Sequence, residues 1–197
     1  MPDQTTVLTN YKSDRWPEDL LNTVKIWEAA LATSAASTFF DAITLGPDNE
    51  KSVDGATGAN NPINQVCAEA GDVWKSDEPL ENSLQVLVSI GTGVPSVEAF
   101  GNTLAAIGHT LKSMATETEK TAYEFLRANS KLHEDRRYFR FNVLSGLDNV
   151  GLEEAAKRPQ IVAATRRYII YEETQGQLKS CAETLRLREC ALEPDFS

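Results

Sequence analysis

The seven residues "LQVLVSI" (Leu84 to Ile90) limit what this chain can fold into more than any other stretch. The run is short, nearly continuously apolar and β-prone, and "GTG" closes it. A strand with one wet face alternates apolar and polar residues; one without alternation is covered on both faces, as in a parallel sheet flanked by helices. The chain must therefore supply cover for both faces of this strand and neighbours for its edges. Its 197 residues suffice for one large domain with a sizeable core.

The flanking sequence supplies such elements. "TTVLTNY" (Thr5 to Tyr11) reads as a short strand. From Asp19 onward, Leu20, Val24, Trp27 and Leu31 recur at helical spacing, fading within "LATSAAST". "TFFDAITL" is β-prone, and "KSVD" leads into a turn. Asn61 is a good N-cap and Pro62 suits a first helical position, ahead of a stripe of Ile63, Val66, Cys67, Ala70, Val73 and Trp74. Beyond "GTG", one helical stretch uses Val97, Phe100, Leu104, Ile107, Leu111 and Met114, and a second uses Thr121, Phe125 and Leu132. "RYFRFNV" alternates as a strand, with Phe139, Phe141 and Val143 on one face. A helical tail runs from Gln160 through Ile161, Thr165, Tyr168, Ile169, Leu178, Cys181 and Leu185. No repeat or interdomain linker interrupts this order, which predicts an α/β fold with a mainly parallel sheet.

Charge and composition exclude several function classes. Nineteen Lys and Arg face 29 Asp and Glu, a net charge of −10 that repels phosphate backbones, so nucleic acid is not an expected partner. Hydrophobic residues make up 41% and charged residues 24%, as in soluble globular proteins. The N-terminus lacks a basic and an apolar signal region, and Cys67, Cys181 and Cys190 have no paired spacing. A cytoplasmic, reducing location is expected. His109 and His133 lie far apart without a ligand cluster, so no metal is expected.

Most candidate motifs have plain structural readings. In "SIGTGVPS", Gly91 and Gly93 match the first spacing of GxGxxG, but Ser96 takes the third place; a tight strand-to-helix turn is expected. Ser89 lacks the flanking glycines of a nucleophile elbow, and GxSxG occurs nowhere in the sequence. His109 and His133 read as solvent-facing, "EDRRYFR" as a charged border to a strand, and Cys67 as a small core residue. Asp54 in "SVDGATGANNP" stands apart. It closes a strand, Gly55 follows to allow a close backbone approach, and a capped helix begins soon after. On these features alone a turn aspartate is the plainer reading, with a catalytic aspartate as the alternative.

Four blocks carry a resemblance: "IWEAALATSAASTFF" (Ile26 to Phe40), "VDGATGANNPINQVCAEAGDVW" (Val53 to Trp74), "LVSIGTG" (Leu87 to Gly93) and "YFRFNV" (Tyr138 to Val143). In this order they resemble the patatin-like phospholipase domain, particularly its fungal members. The resemblance implies a three-layer α/β fold with a mainly parallel sheet, represented by its C-terminal half. Residues 1–147 would form that portion and residues 148–197 a helical tail. It also implies hydrolysis of lipid acyl esters by a Ser-Asp dyad, with no metal or organic cofactor. Asp54, Gly55 and Ala56 align with the family's DGG or DGA motif, and Asp54 would be the general base. An aspartate with an ordinary pKa of about 3.9 is a poor base at neutral pH, so such a site must desolvate it or couple it tightly to the serine.

In the family the GxSxG nucleophile and the Gly-rich oxyanion loop precede the matching region, and this chain contains neither. Leu31 and Ser37 also stand where Arg and Pro are expected. The chain is thus expected to be inactive alone and to need the upstream half of the domain, or to self-associate. A lipid acyl ester would be the substrate in the complete domain, at a peripheral membrane surface. The rival reading is a non-catalytic interaction or regulatory segment of a larger multidomain protein.

Overall fold

Two strand pairs organise the chain in the computed structural model, which describes residues 5–16, 18–36, 39–75, 79–94, 105–147, 150–151 and 154–191. The elements are α1 (Glu18–Thr23), α2 (Ile26–Ala32), β1 (Ile43–Leu45), β2 (Glu50–Ser52), α3 (Ala56–Ala59), α4 (Ile63–Trp74) and α5 (Leu80–Ser83). They continue with β3 (Leu87–Ile90), α6 (Ala105–Ala128), α7 (Ser130–Glu134), β4 (Tyr138–Phe141), a 3-10 turn (Ala155–Lys157), α8 (Arg158–Ile170) and α9 (Glu172–Ala191). Strands β1 and β2 form an antiparallel hairpin whose turn holds Gly46 at φ 70° and Asn49 at φ 53°. Strands β3 and β4 are parallel, in register from Leu87 opposite Tyr138 to Ile90 opposite Phe141. A parallel pair needs a crossover, and α6 and α7 lie within it. The class is α/β, consistent with part of a patatin-like fold.

Two apolar clusters pack against this parallel pair. Ile63 of α4, Phe125 of α6, Leu132 of α7 and Tyr138 of β4 form the first, with Cys67 and Leu87 at its margin. The Phe125 and Tyr138 rings meet at 5.2 Å and 57°, a tilted geometry that suits aromatic quadrupoles. Val143, Leu147 and Ala164 form the second, joined by Tyr168, and seat α8 beyond the end of β4.

Several elements depart from the expectations. Thr5–Tyr11 contains no strand. Side chains hold this end instead: Tyr11 Oη and Trp16 Nε1 donate to Glu69 of α4 at 2.9 and 2.6 Å. Helix α4 starts one residue late, with Pro62 at its N-cap. The Asn61 amide is engaged elsewhere, donating to the Thr118 carbonyl of α6 at 3.4 Å. Thr121 and Phe125 share α6 with the residues before them, and only Leu132 lies on a separate helix. The helical tail breaks at Tyr171, whose ψ of 137° separates α8 from α9. Ser37, Ser96, Val97, Phe100 and Leu104 lie outside the described residues, as do the side chains of Ile107, His109, Leu111, Met114 and Cys190.

The loop after β3 is fixed by one side chain. Asn142 Oδ1 accepts the Gly93 N–H at 2.7 Å, and the Asn142 amide fills the space where a Gly91 Cβ would stand, with Oδ1 2.3 Å from that point. Gly93 needs its freedom as well, at φ 105°. Gly55 is different: its φ is −60° and nothing lies within 4 Å of an added Cβ. The close backbone approach expected of Gly55 is therefore found at Gly91.

Cover for β3 is incomplete among the described residues. Leu87 faces the first cluster, but Val88 is 39% exposed and Ile90 79%. Strand β4 occupies one edge of β3, and no described strand occupies the other. Ile26, Trp27 and Leu31 of α2, Phe40, and Val73 and Trp74 of α4 are exposed too. Apolar surface of this kind is a route to edge pairing and aggregation.

Two outcomes follow. Gly91→Ala must displace the Asn142 amide, so amide exchange across β3 and β4 should quicken about tenfold by mass spectrometry, while Gly55→Ala leaves it unchanged. Equal effects from the two would contradict this packing of Asn142 over Gly91. The purified chain should also self-associate and bind ANS strongly; a monomer with a sharp melt and little dye binding would show that the open face is not open in solution.

Candidate active site

The turn from β2 to α3 holds the aspartate singled out by its sequence setting. Asp54 is partly buried and follows β2 by two residues. Its N–H donates to the Ala35 carbonyl at 3.0 Å, which ties the turn to the segment following α2. Its Oδ1 accepts the Ala56 N–H at 2.9 Å, an Asx turn that starts α3. Oδ2 accepts no hydrogen bond from the described residues, which leaves a carboxylate of fixed orientation with one oxygen unspent.

Helix α6 braces the far side of this turn. Helix α3 packs on α6, and Asn60 Nδ2 donates to Thr118 Oγ1 at 2.8 Å beside the Asn61 contact to the same residue. The next residue, Glu119, belongs to a second polar group at the ends of the parallel strands. Its Oε1 accepts Arg140 Nη2 at 2.8 Å and Asn142 Nδ2 at 2.9 Å. Arg140 Nη1 donates to Ser89 Oγ at 2.9 Å, and the Asn142 N–H donates to the Tyr168 hydroxyl at 3.3 Å. Adjacent residues of α6 thus hold the Asp54 turn on one hand and the "GTG" loop on the other.

Each remaining candidate has a definite place. Ser89 has no base among the described residues: its neighbour Arg140 is a permanent cation that donates to the hydroxyl and cannot take its proton. His133 is exposed on α7. Cys67 borders the first cluster, where burial foremost, with Glu81 nearby, raises its thiol pKa. Tyr138 is likewise raised, chiefly by burial. No cluster of three metal-ligating side chains occurs among the described residues.

Sequence reasoning missed Arg140, Asn142 and Glu119. Reading "EDRRYFR" as a solvated border was wrong for Arg140, whose side chain is only 13% exposed, and for Arg137, which donates to the Leu84 carbonyl after α5 at 2.8 Å. A signal existed for two of them. The alternation that puts Phe139 and Phe141 on one face puts Arg140 and Asn142 on the other, against the helices. Glu119 gave none, since one acid in a polar helix looks like any other.

No family model matches the chain. It is 30% identical over 176 residues to "Calcium-independent phospholipase A2-gamma" of Mus musculus, and equally to the protein of that name from Homo sapiens. It is 29% identical over 172 residues to that of Oryctolagus cuniculus. These alignments cover 86% of this chain and 20–21% of the relatives, so the chain spans about a fifth of the length of the curated proteins it matches. The similarity supports, at the level of family, the patatin-like phospholipase resemblance carried by the four sequence blocks.

Proposed function

We propose that this chain is the base-bearing part of a patatin-like lipid acyl hydrolase of fungal type, with Asp54 as general base. The observation that carries the reading is the Asp54 carboxylate, pinned through Oδ1 and unspent at Oδ2 among the described residues, within a chain similar to phospholipases over 86% of its length. In this reading residues 1–147 belong to the hydrolase domain and residues 148–197 form its helical tail. The serine and the oxyanion-stabilising amides lie outside these 197 residues. Oδ2 accepts the serine proton as the hydroxyl attacks the acyl carbonyl and passes it to the departing alcohol oxygen as the ester C–O bond breaks; water then hydrolyses the acyl-serine to the free fatty acid. The Ala35 and Ala56 bonds contribute orientation, which keeps the free oxygen where the hydroxyl must arrive. The substrate is a fatty-acyl ester of a phospholipid or related lipid, met at a membrane surface on the cytoplasmic side. No helix among the described residues is long and apolar enough to cross a membrane.

The absence of GxSxG from the sequence favours a second reading, a non-catalytic interaction or regulatory segment. Two measurements separate them. The 197-residue chain should not hydrolyse short acyl esters or take up a fluorophosphonate; stoichiometric labelling at Ser89 or any other serine would overturn the assignment of the nucleophile elsewhere. In a protein carrying both this segment and an elbow serine, Asp54→Asn should lower kcat by about 10²–10⁴-fold with the fold intact, since Asn tolerates the same turn. Near-normal turnover would make Asp54 a turn residue and leave the regulatory reading.

A further inference from the structure

A cleft of about 260 Å³ lies between the C-terminal end of β4 and helices α8 and α9, apart from the Asp54 turn. Its lining holds an unusual surplus of uncommitted donors. Arg140 is not among them: it commits Nη1 to Ser89 and Nη2 to Glu119, and its Nε–H, without a partner among the described residues, is buried out of the cleft's reach. Thr174 is 5% exposed and, among the described residues, its hydroxyl has no partner. That hydroxyl does not even make the bond to the preceding helical turn that Thr165 and Thr184 make. The Tyr168 hydroxyl accepts the Asn142 N–H and has its own proton to give. Arg167 lines the same cleft, exposed, with its guanidinium in no ion pair or hydrogen bond among the described residues.

Charge points the same way. Arg140 already neutralises Glu119 at 2.8 Å, so Arg167 is the cation available to a ligand, with the exposed Glu173 at the cleft as its counterweight. Buried donors without acceptors cost free energy until an acceptor arrives. Donors from α8 and α9 converge on this one cleft, which calls for a compact ligand with several acceptor oxygens rather than a cation or an apolar group. A carboxylate offers two oxygens in one plane; a tetrahedral oxyanion offers three or four in different directions.

We propose that this cleft binds a phosphate group, held by Arg167 and the hydroxyls of Tyr168 and Thr174. The site stands apart from the hydrolase reading, since it needs neither the serine nor Asp54. A free phosphate and the phosphodiester of a lipid headgroup share this chemistry. Glu173 favours the headgroup that carries an ammonium group beside its phosphate.

Equilibrium dialysis of the full chain tests this whatever its association state. One arm uses inorganic phosphate and the other glycerophosphoethanolamine, at low salt. Binding is expected in at least one arm with Kd on the order of 1 mM, and the stronger arm identifies the source. Arg167→Gln should weaken it about tenfold and Thr174→Val about three- to tenfold, with unchanged circular dichroism. Arg166→Gln, one residue away, should change nothing. Absence of binding in both arms would overturn the proposal, and so would binding that Arg167→Gln and Thr174→Val leave intact. Should either variant lose its fold, Tyr168→Phe provides the same reading through the loss of one hydroxyl.

Discussion

The Asn142 side chain joins parts of the chain that no backbone ladder connects. Its oxygen takes the Gly93 N–H, its nitrogen reaches Glu119, and its amide plane fills the gap over Gly91. One residue therefore locks the loop after β3 to the strand beside it and both to α6. Buried amides satisfied on both ends rigidify what they join, because moving either end strands a polar group away from water. The glycines of "GTG" are needed for this and not for a phosphate turn: one makes room, the other adopts φ 105°.

From that lock the Asp54 turn takes its position. Glu119 and Thr118 are neighbours on α6, so the same helical turn that anchors Asn142 also receives Asn60 and Asn61. Asp54 is then held from two sides, by Ala35 before it and by its own Asx turn after it. Such a carboxylate has little orientational freedom left to lose on meeting a hydroxyl, which is what a general base of modest basicity requires.

The sequence showed both strands of the parallel pair clearly, though not that they are neighbours, because an apolar run and an alternating run differ in period from every helix around them. It also placed Asp54 at the end of a strand. What it hid were the antiparallel pairing of β1 with β2 and the Arg140–Glu119–Asn142 group, whose members are 21 and 23 residues apart. Thr5–Tyr11 misled in the opposite direction, since β-prone residues form a strand only where another strand offers its edge. The apolar face at Val88 and Ile90 was legible as a demand for cover, and the described residues leave that demand unmet.

The role proposed for Asp54 is to activate a serine supplied from outside these residues. Its most direct test is complementation. A polypeptide bearing the GxSxG elbow of a patatin-like phospholipase would be mixed with this chain, and the rate at which a fluorophosphonate labels the elbow serine measured. That role requires faster labelling with the chain present, and no acceleration with an Asp54→Asn chain. Equal acceleration by both chains would contradict it.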